Sequence, residues 1–148
     1  MEDLIILLIR SSFTNNALTL SAWIKINVLP STEVAVLRKS DQWQIGFINA
    51  TTIRNLVATN GTSGWTGSND QTYSFVTGTW YYWTFVYNGS VIAHYINGQQ
   101  IGATHVVTGN IVDNANPANI GFNAYGGTFF NGLIDDVRVY SHALTANE

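Results

Sequence analysis

Two Asn-Gly dipeptides, Asn88-Gly89 and Asn97-Gly98, close two strongly β-prone runs in succession, and no other feature of the sequence constrains the fold as tightly. Such a pair supplies the positive φ values of a tight primed turn, whose twist matches that of the strands it joins. The run from Trp80 to Tyr87 therefore turns back at Asn88-Gly89 into Val91 to Ile96, and the chain reverses again at Asn97-Gly98. Within the first run Trp83, Phe85 and Tyr87 share one face and Trp80, Tyr82, Thr84 and Val86 the other. Both faces are apolar enough that both are expected to be covered.

The same alternation recurs from Thr19 to Asn27, with Leu20, Ala22, Ile24 and Ile26 on one side and Ser21, Trp23 and Lys25 on the other. Trp43 to Ile48 puts Trp43, Ile45 and Phe47 on one side; after the polar connection Asn49 to Thr52 it is expected to pair with Ile53 to Thr59 as a hairpin. Ala118 to Asn123 and Phe130 to Tyr140 read as later strands, and Ala143 to Glu148 as a helical turn or a docked tail. The stretch from Asn60 to Gln71, made of Gly, Ser, Thr and Asn around Trp65, reads as a loop. Many short strands at near-even spacing, with no long amphipathic helix, predict one all-β domain over residues 1–148, an antiparallel sandwich or barrel.

Composition narrows the function. Of 148 residues only 10% are charged, against roughly 25% in an average globular domain. With a formal net charge of −3 and no basic cluster, nucleic acid is not an expected partner. Cysteine is absent, so no disulfide or thiolate ligand contributes. The apolar run Leu4 to Ile9 is too short to span a bilayer, and Glu2 and Asp3 precede it where a signal peptide carries positive charge, so no export signal is expected in this stretch. The sequons at Asn49, Asn60 and Asn88 fall in predicted turns, but an Asn-, Gly- and Thr-rich chain produces such triplets by chance.

The segments LTLSAWIK (18–25), GTWYYWTFVYNG (78–89), HYINGQQIG (94–102), NIGFN (119–123) and FNGLIDDVRVYSHALTANE (130–148) resemble the successive blocks of the laminin-G-like, concanavalin A-like jelly-roll family. The chain departs from that pattern near its start, where Leu4 to Ile9 is more apolar than the family's opening strand. The resemblance implies two curved antiparallel sheets, an extracellular or cell-surface setting, and binding of sugars or protein surfaces. Some relatives are glycosidases, which need two carboxylates flanking the scissile bond. Here the glutamates are Glu2, Glu33 and Glu148, and Asp135 and Asp136 are adjacent, pointing to opposite faces of a strand. His94, His105 and His142 lack any nucleophile-elbow spacing, so an enzyme is not expected.

A sugar offers an apolar C–H face and many hydroxyls, and its site combines an exposed aromatic ring with fixed polar partners. Trp65 is the sharpest such ring, and the antiparallel pairing of Trp43 to Ile48 with Ile53 to Thr59 brings Asp41 and Trp43 toward Asn60 and Asp70. Tyr73, Asn123 and Tyr125 extend this expected ligand-binding set, although Trp65 also reads as a plug over one end of the sandwich and Trp43 as core. Trp23, Trp80 and Trp83 read as core or inter-sheet packing, with Trp23 able instead to line a sheet face beside Ser21 and Lys25. Lys25 and Arg38 read as solvated stems or as donors to an acidic ligand. Asp135 shares its face with Leu133, Val137 and Val139; in an apolar layer it needs a partner, and a structural calcium is one expectation. The functional expectation is a non-catalytic, lectin-like module for an oligo- or polysaccharide, with weak self-association compatible with it. A protein-adhesion module of the same fold is the alternative.

Overall fold

The computed structural model describes residues 16–60 and 62–145, without the side chains of residues 62–68. The run Leu4 to Ile9 and residues 146–148 lie outside the described residues. The strands in chain order are β1 (Leu18–Ile26), β2 (Val34–Lys39), β3 (Trp43–Phe47), β4 (Thr52–Thr59), β5 (Thr62–Thr72), β6 (Trp80–Tyr87), β7 (Val91–Ile96), β8 (Gln99–Val106), β9 (Ala118–Ile120), β10 (Phe122–Asn123), β11 (Thr128–Phe129) and β12 (Gly132–Tyr140). They form two five-stranded antiparallel sheets, ordered β12-β1-β6-β7-β8 and β5-β4-β3-β2-β9, with β10 and β11 as a short hairpin. This is the two-sheet antiparallel β-sandwich that the alternation and the turns imply.

Period-2 patterning places the core between the sheets. From the first sheet Leu18, Leu20, Ala22, Ile24 and Ile26 on β1 and Trp83, Phe85 and Tyr87 on β6 point inward, fully buried. Trp43, Ile45 and Phe47 on β3 and Ile53 and Val57 on β4 meet them from the second sheet. Phe47 stands edge-on to Trp83 at 5.3 Å and to Phe75 at 5.2 Å, the offset geometry that aromatic quadrupoles favour. The chain reverses at both Asn-Gly pairs; Asn97 and Gly98 are both at positive φ as read, whereas at Asn88-Gly89 only Gly89 is, and the connection runs over residues 88–90. The Asn88 side chain accepts the Ser90 and Val91 amides, and Asn49 does the same for Thr51 and Thr52, so these two sequon asparagines are turn-builders.

Three sequence expectations change. The segment read as a loop from Asn60 to Gln71 is mostly strand β5, paired along β4 from Thr52↔Thr72 to Thr59↔Thr62. Leu56, Val57 and Ala58 on β4 are buried, and their backbone groups need a hydrogen-bonding neighbour whatever that neighbour's side chains prefer. The strand read from Ala118 to Asn123 is broken at Gly121, whose φ of 68° ends β9 and starts the β10 hairpin. Of the two readings of the tail, the docked one holds for the described residues up to Thr145, which lie on the first sheet. There the Thr19 hydroxyl donates to the His142 carbonyl and accepts the Leu144 amide, both at 2.9 Å.

The third change concerns β12. Ser21 pairs with Arg138 but Trp23 pairs with Asp135, so one extra residue is accommodated in a β-bulge, and Asp136 takes a left-handed φ of 46°. The bulge reverses the alternation along the strand. Ile134, Val137 and Val139 pack on the core, whereas Leu133 and Asp135 are exposed. Asp135 is therefore not in the apolar layer that simple alternation with Val137 and Val139 predicts. Nor are both faces of β6 fully covered: Trp80 is 38% exposed and its neighbour Trp23 39%, both outside the core that Trp83 occupies.

Candidate functional site

On β3 and β4 the residues between the core positions point away from the core, onto the outer face of the second sheet. Pairing aligns Arg38 with Gln44 and Gln44 with Leu56 across β2, β3 and β4, and Gly46 with Arg54 and Arg54 with Asp70 across β3, β4 and β5. Gly46 is required by close approach: a Cβ there would stand 2.4 Å from the Val34 carbonyl oxygen, beside the irregularity in β2. With no side chain at Gly46, the floor of this face is formed by planar polar groups beside Leu56.

Those groups hold one another. Arg54 forms a two-pronged hydrogen bond to Asp70, 2.7 Å on each prong, and lies 3.7 Å from Glu33. Gln44 donates to Glu33 at 3.1 Å and accepts a hydrogen bond from Arg38. The Asp70 hydrogen bond raises the pKa of Arg54 above its ordinary value, while burial lowers that of Arg38 against the opposing pull of Glu33, Tyr125 and Asp41.

A rim closes one side of this floor. The β10–β11 hairpin is tied to the residue just before β2 by Thr128, whose hydroxyl donates to the Glu33 carbonyl at 2.6 Å. At its turn the Asn123 side chain accepts the Tyr125 amide at 3.1 Å, which leaves the Tyr125 ring 67% exposed. The Tyr125 hydroxyl donates to Asp41 at 2.9 Å, and the Arg38 guanidinium lies 4.7 Å from the ring centroid. Asp41 itself sits at a φ of 58° and also accepts from Asn116 at 3.2 Å. The hydrogen bond to Asp41 holds the Tyr125 phenol protonated above its usual range, with Arg38 pulling the other way. Floor and rim enclose a cleft of about 860 Å³ lined by Glu33, Arg38, Arg54, Leu56, Asn123, Tyr125 and neighbours. It offers one open aromatic ring and the partly exposed Arg54, Glu33 and Asp70 side chains, with Arg38 buried beneath them at 4% exposed.

Of the residues singled out in the sequence, Asn123 and Tyr125 line this cleft, Asp41 orients Tyr125 and Asp70 orients Arg54. The others lie elsewhere. Trp43 is 1% exposed in the core, where no ligand reaches it, because it shares the inward face with Ile45 and Phe47. Tyr73 packs edge-on against Phe75 at 4.6 Å and Tyr81 at 6.0 Å. Asn60 exchanges two hydrogen bonds with Asn110, each 2.9 Å, fastening the end of β4 to a distant segment. Trp65 lies on β5 rather than in a loop, and its side chain is outside those described. Asp135 stands on the outer face of the other sheet beside Trp23 and Trp80, and its Oδ1 accepts the Asp136 amide. Among the described residues no three His, Cys, Asp or Glu side chains gather around it.

Sequence reading passed over Glu33, Gln44, Arg54 and Thr128. Alternation from Ile53 to Val57 already turns Arg54 outward, but its junction with Glu33 and Asp70 depends on β5 being a strand.

Residues 6–148 match the model of the concanavalin A-like lectin/glucanases superfamily, laminin-G type. No curated protein sequence matches the chain. Among solved structures it is similar to a Bacteroides ovatus protein whose proposed role is carbohydrate binding, with TM-score 0.75 and 17% identity over 94% of this chain and 40% of that one. It is also similar to domain 4 of AbnA, a GH43 extracellular arabinanase from Geobacillus stearothermophilus, in complex with arabinotriose (TM-score 0.66, 22% identity, 90% and 65% covered). A third is the botulinum neurotoxin serotype D binding domain (TM-score 0.67, 20% identity, 94% and 36% covered). The chain thus spans less than two thirds of each of these chains, and at such identities the likeness is one of fold.

Proposed function

Because the chain belongs to the concanavalin A-like lectin/glucanases superfamily, we propose that it is a non-catalytic carbohydrate-binding module whose site is the cleft over β2, β3, β4 and β5. The observation that carries this reading is the exposed Tyr125 ring, fixed by Asp41 and Arg38 at the rim of a hydrogen-bonding floor. A sugar ring stacks its C–H face on Tyr125 while its hydroxyls reach the partly exposed Arg54 and Glu33. Glu33, Asp41 and Asp70 more than offset the two guanidinium groups, so the cleft disfavours an acidic sugar and favours a neutral glycan.

The same carboxylates serve as acceptors for the chain's own side chains, Glu33 for Gln44, Asp41 for Tyr125 and Asp70 for Arg54, which supports binding without hydrolysis. A few hydrogen bonds of about 1 kcal/mol each and one stacked ring correspond to millimolar to micromolar affinity, strengthened where the module is repeated. Work outside the cell belongs to the same reading, supported by the extracellular arabinanase whose domain 4 shares the fold.

A glycan and polysaccharide array, followed by titration calorimetry on the best ligand, tests it. Tyr125→Ala is expected to weaken binding by roughly tenfold or more while the thermal midpoint stays put. Unchanged affinity in that variant moves the site elsewhere, and silence across the array with folded protein favours protein adhesion.

A further inference from the structure

The outer face of the first sheet carries a second group of side chains that the cleft does not use. Pairing across β12, β1 and β6 sets Asp135, Trp23 and Tyr82 in one row and Leu133, Lys25 and Trp80 in the next, all outside the core. The Trp23 and Tyr82 rings are 5.2 Å apart, and the Lys25 ammonium stands 5.4 Å from the Trp80 ring centroid. Between Trp23, Trp80 and Asp135 lies a depression of about 340 Å³. Two indoles left more than a third exposed on one face forgo burial that a core position provides.

The bulge in β12 makes the arrangement specific. By absorbing one residue at Asp136, it lets Val137 and Val139 return to the core while Asp135 stays outward, directly across from Trp23. Bulges are a means of re-aiming one side chain from an otherwise regular strand. Asp135 Oδ1 is occupied by the Asp136 amide, and among the described residues no hydrogen bond to Oδ2 is formed. Arg138 is engaged by Asp136 at 2.8 Å, leaving Asp135 and Lys25 as the charges bordering the depression.

We infer that this depression is a second sugar site, one that takes a neutral pyranose unit of a polysaccharide on Trp23 and Trp80. The inference rests on the carbohydrate-binding reading above. The chemistry matches from three sides: indole faces for the C–H face of the ring, the Asp135 carboxylate for two hydroxyl donors, and the Lys25 ammonium for a hydroxyl acceptor. The opposite charges offset each other, as a neutral ligand requires. This site and the Tyr125 cleft lie on the outer faces of opposite sheets, so one molecule engages two polysaccharide chains and cross-links them.

The experiment is titration calorimetry of the full chain with neutral hexaoses of glucose, mannose, xylose and arabinose, repeated on Asp135→Asn, Trp23→Ala and Tyr125→Ala. Asp135→Asn keeps the side-chain shape and its acceptor for the Asp136 amide, and near-UV circular dichroism checks the fold of Trp23→Ala. Two sites per chain are expected for the wild type. Asp135→Asn should weaken one of them roughly tenfold, Trp23→Ala should abolish that one, and Tyr125→Ala should remove the other. One site that survives Trp23→Ala and vanishes in Tyr125→Ala overturns the second site and keeps the cleft. One site with the reverse pattern keeps the second site and removes the cleft. Absence of heat with every hexaose overturns both.

Discussion

On the outer face of β5-β4-β3-β2-β9, Arg38, Arg54, Glu33 and Asp70 are tied into one network under a hairpin rim, whereas on β12-β1-β6-β7-β8 two tryptophans stand open beside a lone outward carboxylate. The first face is assembled from residues far apart in sequence, and its ring, Tyr125, comes from a loop held in place by Asp41 and Thr128. The second is written almost entirely into two neighbouring strands and one bulge. A loop-built face depends on long-range contacts for its geometry, and a strand-built face depends on register.

The comparison breaks most completely where both faces share a support. His94 on β7 donates through Nε2 to the Asn69 carbonyl on β5, joining the two sheets, and its Nδ1 finds no partner among the described residues. Burial lowers its pKa from 6.5 to about 4, against the opposing effects of the Asn69 carbonyl and Asp70. As pH falls the unfolded chain takes up the proton first. Stability is therefore full above pH 6.5 and drains away toward pH 4, by up to about 3 kcal/mol. Urea midpoints at pH 7 and pH 4.5 should show this loss in the wild type and a much smaller one in His94→Gln. An equal loss in both would remove His94 from the account.

A second change should touch the aromatic face alone. Thr19→Val keeps the shape of a fully buried side chain and deletes both hydrogen bonds that dock the tail. It should cost about 1 to 2 kcal/mol and speed hydrogen exchange at the Leu144 amide, with binding in the Tyr125 cleft unaltered. The smallest expected stability effect lies on the other side. Arg54→Gln removes a partly exposed ion pair and should cost about 0.5 kcal/mol in a denaturant titration, while weakening the cleft several-fold and sparing the Trp23 site. A loss at both sites in Arg54→Gln would mean that the faces are coupled through the core.

Alternation and Asn-Gly turns made β1, β3, β4, β6 and β7 legible, and with them most of the core from Leu20 to Phe85. They were silent on β5, because Gly, Ser, Thr and Asn enter a strand there to complete the β4 ladder, a demand set by a neighbour rather than by the segment itself. They placed Trp23 and Trp80 opposite the core residues of their own strands, yet bulk and apolarity pulled both toward a core reading. Burial depends on what lies above a face, and for these two nothing in the local sequence says so. Tyr125 and Asn123 were singled out from loop composition, but Arg54 and Glu33 were not, since their junction appears only once three strands are in register.

The bulge at Asp136 behaves like a reading-frame shift written in geometry. Upstream of it even-numbered residues face the core, downstream odd-numbered ones do, and each half of β12 is correct only because one position between them is left uncounted. Deleting that position would bring the two halves into one unbroken alternation, whereas losing any other position while the bulge stays would set one half against the core in the wrong phase. A single-residue insertion or deletion elsewhere in this strand is thus a more severe lesion than most substitutions, and the strand's tolerance of change is measured in residues counted rather than in side chains kept.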